Sequence, residues 1–136
     1  ALEIFALNRA ALGLEARAGS CLSDWYEGLS QARGPYDLIV SNPPYIALEE
    51  MAALAPELGY EPRMALTDEA DGLSAYRKIC ERAVDFLAPG GRLIVEIGPT
   101  QGADVAALMG AAGLEGVLIL PDLDGRERVV LGIRPA

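Results

Sequence analysis

Asn42-Pro43-Pro44-Tyr45 brings together the residue types of this chain best suited to chemistry, and it follows directly on the apolar run Asp37-Leu38-Ile39-Val40-Ser41. The chemistry it fits is methylation of a planar NH2 group. An amide or aromatic amine nitrogen is a poor nucleophile because its lone pair is delocalised. Acceptors that take hydrogen bonds from both of its N–H groups strengthen as the nitrogen becomes cationic, so they favour the transition state over the ground state. The side-chain oxygen of Asn42 can be one such acceptor and the backbone carbonyl of Pro43 the other. The two prolines fix φ and remove competing donors, and Pro43 biases Asn42 toward an extended conformation. Tyr45 can pack its ring against a flat group. No strong base is required, because the methylated nitrogen is acidic and loses its proton to water. On its own the tetrapeptide also reads as a plain turn after a strand, since Asn and Pro are common turn residues.

The elements that must position this segment follow from periodicity. Leu2, Phe5, Ala6, Arg9 and Leu12 recur at helical spacing, and Gly13 is a stop. A short strand is expected within 16–22. The stretch 23–36 is polar and mixed, with Gly34-Pro35 as a turn signal. Residues 37–41 form the clearest strand, and Pro43-Pro44 ends its ladder. A long, partly helical excursion over 47–71 follows, of a length that tends to be functional in compact domains. Leu73, Tyr76, Ile79, Cys80, Ala83, Val84 and Leu87 predict one helix face, with Asp71 a candidate N-cap and Pro89-Gly90-Gly91 as the terminating turn. Because it precedes a strand, that glycine pair is no cofactor cradle. A strand over 92–97, a helix over 101–112 and two strands over 117–120 and 128–133 complete the chain. Asp122-Leu123-Asp124-Gly125 reads as the hairpin turn between the last two. Alternation of this kind predicts an α/β sheet, mostly parallel with a C-terminal antiparallel hairpin. Ligands of open α/β sheets bind beyond the carboxyl ends of strands, which is where Asn42 stands.

Composition bounds the function. At 136 residues the chain suits a single domain, 1–136, and half of it is apolar. It has no apolar run long enough for a membrane helix and no signal-type N-terminus, so a cytoplasmic location is expected. There is no histidine, which removes Ser-His and Cys-His catalysis and histidine metal sites from this chain. Cys21 and Cys80 lack metal spacing and read as small buried apolar residues. A net charge of −9 gives no electrostatic reason to bind a phosphate backbone, so no direct nucleic acid partner is expected.

Ser41-Asn42-Pro43-Pro44-Tyr45-Ile46 resembles the amino-methyltransferase signature of class I, S-adenosylmethionine-dependent enzymes. Its flanks narrow the resemblance. Glu61-Pro62-Arg63-Met64-Ala65-Leu66, Asp71-Gly72-Leu73, Leu87-Ala88-Pro89-Gly90-Gly91, Glu96-Ile97-Gly98, Gln101-Gly102 and Asp122-Leu123-Asp124-Gly125-Arg126-Glu127-Arg128-Val129-Val130 occur in the order seen in HemK/PrmC-type release factor glutamine methyltransferases. The resemblance implies a Rossmann-like methyltransferase sheet, S-adenosyl-L-methionine as methyl donor, and a peptide chain release factor as protein partner, methylated on the glutamine of its Gly-Gly-Gln loop.

Carried over, the resemblance makes Asn42, Pro43, Pro44 and Tyr45 the holders of the glutamine amide, with Asn42 also near the donor. Asp24 and Trp25 resemble the acidic-aromatic pair that meets the donor's adenine. Glu61, Pro62 and Arg63 would form a loop beside the substrate. Glu96, an acid in an apolar strand, would orient the site loop or pair with an arginine. The family also binds its donor through a Gly-rich loop after the first strand and an acid after the second, and neither motif is in this sequence. The chain begins at what resembles the helix after the second strand, with Asn8 matching an Asn there. On that reading it is an N-terminally truncated part of a catalytic domain that lacks the first two strands. It would then carry the acceptor half of the site, bind the donor weakly or not at all, and be inactive in isolation. Exposed sheet edges would also favour a homodimer. The competing functions are a ribosomal-protein glutamine methyltransferase, a nucleic-acid amino-methyltransferase, and a non-catalytic substrate-binding module.

Overall fold

A computed structural model describes residues 1–30, 34–53 and 60–136, with the side chain of residue 53 outside that description. The chain forms two compact units, Ala1–Arg33 and Gly34–Ala136.

The first unit holds helix α1 (Leu2–Ala11). The helix closes as expected at Gly13: the Leu14 N–H donates to the Arg9 carbonyl at 2.9 Å and the Gly13 N–H to that of Ala10 at 3.2 Å, the paired bonds of a Schellman motif. The strand expected within 16–22 is not formed; those residues make turns and irregular backbone. A strand exists only when paired, and none of 1–30 is in a ladder. Cys21, expected to be buried, is exposed. The physical reason is size: Tyr26 is the one buried residue among 1–30, too little core to cover a cysteine.

The second unit is built on a sheet. Strands β1 (Tyr36–Ser41), β2 (Leu87–Glu96), β3 (Glu115–Pro121) and β4 (Glu127–Ile133) lie in the order β1-β2-β4-β3. β1 runs parallel to β2, and the β2–β4 and β4–β3 pairs are antiparallel. Pro89-Gly90-Gly91 lies inside β2, where it forms an irregularity instead of the expected turn: pairing moves from Tyr36↔Leu87 to Leu38↔Arg92. The extra residues stay in the sheet because the Gly90 N–H donates to the Arg134 carbonyl and the Arg134 N–H to that of Gly91.

Helix α2 (Ser74–Phe86) buries Tyr76, Ile79, Cys80, Ala83 and Phe86, a stripe at helical spacing. It ends at Phe86, and Leu87 passes straight into β2. Helix α3 (Gly102–Ala111) buries Val105 and Met109. These helices lie over one face of the sheet, formed by Leu93, Val95, Ile97 and Val130, all fully buried. An added Cβ at Gly132 would stand 3.1 Å from both Leu114 Cβ and Met109 Sδ, so a glycine there lets the end of α3 approach β4. The register puts Leu38, Val40 and Leu118 on the opposite face, where they are exposed. Asp122 closes the β3–β4 hairpin as expected. Its Oδ1 accepts the N–H groups of Asp124 and Arg126 at 2.9 and 3.0 Å.

Candidate active site

Ser41 is the last residue of β1 and pairs with Val95; the chain leaves the sheet at Asn42. Pro43 is buried, Pro44 and Tyr45 are half-buried, and Asn42 is exposed at the carboxyl end of the strand. Among the described residues no hydrogen bond engages the Asn42 amide. The buried proline ring gives the segment a foothold without requiring a donor that it lacks.

Beyond the tetrapeptide the backbone is tied down. The Ile46 N–H donates to the Leu66 carbonyl at 3.0 Å, in a parallel bridge with Thr67, and the Leu48 N–H donates to the Ala70 carbonyl at 2.9 Å. Glu50 Oε2 accepts the Ala47 N–H at 3.1 Å. The excursion over 47–71 is therefore anchored on both sides of its middle, with short 3-10 turns at Leu48–Ala53 and Arg63–Ala65; its residues 54–59 lie outside the described ones.

One side chain ties three backbone segments together. Gln101 Nε2 donates to the Tyr45 carbonyl at 2.9 Å and to the Gly72 carbonyl at 3.2 Å. Gln101 Oε1 accepts the Gly98 N–H at 3.0 Å and lies 3.4 Å from the Tyr76 hydroxyl. The hydroxyl proton goes to the Glu96 carbonyl, the shorter contact at 2.8 Å. Two carbonyls on one side and an N–H on the other dictate which end of the amide is nitrogen. Burial pushes the Tyr76 phenol pKa up, with charge near Tyr45, Glu96 and Cys80 adding to it.

Gly72 is the close approach that this arrangement requires. Its φ is +76°, and an added Cβ would stand 2.5 Å from the Tyr45 carbonyl oxygen and 2.9 Å from Gln101 Nε2. At Gly98 an added Cβ would meet Gln101 Oε1 at 3.0 Å and Tyr45 Cδ2 at 3.4 Å. The glycines of the Asp71-Gly72-Leu73 and Glu96-Ile97-Gly98 segments are thus packing requirements of the residue after Pro44.

The entry to α2 is held by Asp68, which sequence reasoning passed over in favour of Asp71. Asp68 Oδ2 accepts the Ser74 N–H at 2.8 Å, and Oδ1 accepts those of Ala70 and Gly72 at 2.9 and 3.0 Å. Burial opposes its ionisation, but the donors from Ser74, Ala70 and Gly72 outweigh that and hold its carboxyl below the usual range. Asp71 instead accepts the Leu73 N–H at 3.0 Å and pairs with Arg77 at 2.6 Å. The local signal for Asp68 was an acid a few residues ahead of the helix; Asp71 shares it, and only the turn geometry separates the two.

The other expected site residues fall as follows. Glu61, Pro62 and Arg63 are exposed, and the Arg63 guanidinium forms a two-bond pair with Glu69 at 2.5 and 2.9 Å. Glu96 is half-buried, and among the described residues it pairs with no arginine; its carbonyl, not its carboxylate, enters the network. Asp24 and Trp25 belong to the first unit, where Trp25 is half-buried with φ +50° and its carbonyl accepts the Ser23 hydroxyl at 2.7 Å. A cavity of about 580 Å³ opens beside the tetrapeptide, walled by Tyr45, Ile46, Glu49, Glu50 and residues 98–101. Among the described residues no cluster of Asp, Glu, Cys or His could hold a metal, and no helix is long and apolar enough to cross a membrane.

Comparison with known proteins points in one direction. Release factor glutamine methyltransferase of Cereibacter sphaeroides is 53% identical over the whole of this chain and 48% of its own length. That of Rhodospirillum rubrum is 44% identical over the whole chain and 41% of its own length. The chain thus spans about half the length of the curated relatives it matches, and the match lies in their C-terminal part. Among solved structures, a release-factor-specific protein-(glutamine-N5) methyltransferase from Alicyclobacillus acidocaldarius superposes with a TM-score of 0.50 at 30% identity, over 78% of this chain and 53% of that one. A methyltransferase from Pyrococcus furiosus shares the fold, with a TM-score of 0.59 at 16% identity over the whole of this chain and 60% of its own. No family model matches the chain.

Proposed function

Since this chain belongs to the release factor glutamine methyltransferase family over the stretch it covers, we propose that it carries the part of the active site that holds the acceptor glutamine, in an enzyme that methylates the Gly-Gly-Gln loop of a peptide chain release factor. The observation that carries this reading is Asn42: exposed at the carboxyl end of β1, its amide engaged by no hydrogen bond among the described residues, on a backbone anchored at Pro43, Tyr45 and Ile46. A free carboxamide on a fixed backbone is what recognition of another carboxamide requires.

The Asn42 oxygen and the Pro43 carbonyl accept the two N–H groups of the glutamine amide, and Tyr45 supplies a flat wall for it. As positive charge builds on the nitrogen these two acceptors strengthen, and because the anchored backbone does not have to rearrange, the gain goes into rate. The surplus proton then leaves to water. By the same resemblance Asn42 would also lie near the methyl donor, S-adenosyl-L-methionine, which when bound supplies an electrophilic methyl group, and Asp24 and Trp25 would serve its adenine. Glu61, Pro62 and Arg63 flank the peptide, and the Arg63–Glu69 pair stiffens that loop. Residues 1–136 are thereby a part of the methyltransferase catalytic domain.

The test is methyl transfer from labelled S-adenosyl-L-methionine to a release factor, read by mass spectrometry at the Gly-Gly-Gln glutamine, using the whole protein that contains this chain. Asn42→Ala is expected to cost about 10²–10³-fold in kcat, the scale for loss of one transition-state hydrogen-bond partner. Label on another residue, on a ribosomal protein alone, or undiminished turnover by Asn42→Ala would overturn the assignment.

A further inference from the structure

We propose that Gln101 is a positioning residue for the acceptor site: its carboxamide sets the backbone path of Asn42-Pro43-Pro44-Tyr45 by holding the Tyr45 carbonyl. The inference rests on the reading of residues 42–45 as the amide-binding segment and adds a residue that no part of that reading uses.

A carboxamide has two N–H donors and an acceptor oxygen. Gln101 spends the donors on the carbonyls of Tyr45 and Gly72, at 2.9 and 3.2 Å, and the oxygen on the Gly98 N–H at 3.0 Å. These partners come from the segment after β1, the turn before α2 and the turn after β2. No other residue type can do this from the same place. Glutamate is isosteric but turns a charged acceptor toward two carbonyls; methionine fills the space and bonds nothing; asparagine is one methylene short. Gly72 and Gly98 leave room for the side chain, since an added Cβ would stand 2.9 Å from Gln101 Nε2 at the first and 3.0 Å from Oε1 at the second. Prolines at 43 and 44 cannot donate to any ladder, and among the described residues the first hydrogen-bonded backbone groups after β1 are the Tyr45 carbonyl, which accepts from Gln101, and the Ile46 N–H, which donates to Leu66. Tyr45 in turn is two residues from the carbonyl of Pro43, the proposed second acceptor.

Gln101→Met and Gln101→Glu test this in the whole protein, with two readouts. The first is steady-state methylation of a Gly-Gly-Gln-containing release factor. Gln101→Met is expected to lower kcat about 10- to 100-fold with KM for the release factor little changed, the mark of misplaced acceptors rather than lost binding. For Gln101→Glu the carbonyls favour the protonated carboxyl, which can donate to one of them. Its kcat relative to the parent therefore rises as pH is lowered, while that of Gln101→Met stays flat. A residue that merely stabilised the fold would leave both ratios flat at a temperature where the variants are folded. The second readout needs no turnover: amide hydrogen exchange at Ile46 and Gly98 should quicken in Gln101→Met relative to the hairpin amides of 122–126. Unchanged exchange at those amides, or an unchanged kcat, overturns the proposal. A parent protein that fails to methylate the release factor while exchange still quickens overturns the substrate reading and leaves the tie between Gln101 and the segment supported.

Discussion

Replacing Gly72 by alanine should damage this protein more than a glycine-to-alanine change has any local reason to, and the excess measures how tightly the turn before α2 is packed on the acceptor segment. Two costs add. At φ +76° an L-residue pays about 1–2 kcal/mol for the left-handed conformation. The new Cβ also lands 2.5 Å from the Tyr45 carbonyl oxygen, a backbone atom already fixed by Gln101, and an overpacked site of this kind costs about 1–3 kcal/mol. Gly113 provides the control. It ends α3 with φ +86°, and nothing lies within 4 Å of a Cβ built there. Gly113→Ala therefore carries the conformational cost alone, about 1–2 kcal/mol. The difference of ~1–3 kcal/mol corresponds to an extra fall in Tm for Gly72→Ala of at least ~4 °C and centred near ~12 °C, taking ~4–8 °C per kcal/mol for a unit of this size. Thermal melts followed by circular dichroism on both variants decide it. Equal Tm values would mean that the turn is not seated on the Tyr45 carbonyl, and the account of the Asp71-Gly72-Leu73 segment would fall with it.

Two further predictions concern ionisation. The Arg77 guanidinium, with the Leu73 N–H, holds the Asp71 carboxyl down at about 2. Its folded pKa lies below the unfolded value of about 3.9, so its contribution is present above that pH and is lost as pH falls toward 2. Asp71→Asn should flatten the acid limb of stability against pH over that window, as read by urea midpoints, whereas an unaltered slope would show that the pair does not form in solution. At the thiols, burial pushes Cys80 up to about 11 while Cys21 is exposed. A thiol reagent at pH 8 should therefore titrate one cysteine promptly and the second only with denaturant; two prompt thiols would refute the burial of α2 against the sheet.

What could be read from the sequence alone was whatever depends on neighbours a few positions away. The apolar stripe Tyr76, Ile79, Cys80, Ala83 declared α2, and Gly13 declared the end of α1, because helix bonds and caps close within five residues. The Asp122 turn was legible for the same reason, and so was the chemistry offered by Asn42-Pro43-Pro44-Tyr45, which lies in the residue types themselves. Tertiary structure decided whatever depends on a partner far along the chain. Residues 16–22 carry a strand-like pattern, but among the described residues they enter no ladder. Pro89-Gly90-Gly91 looks like a stop, yet Arg134 reaches back to keep it in the sheet. Asp68 and Asp71 look alike from the sequence, and the fold gives the helix entry to one and Arg77 to the other. Gln101 stands 56 residues from the carbonyl it holds at Tyr45, a distance over which no periodicity carries information. A glutamine one turn after an apolar strand says nothing locally of Tyr45; what makes it matter is that folding brings two carbonyls and one N–H within reach of a single amide.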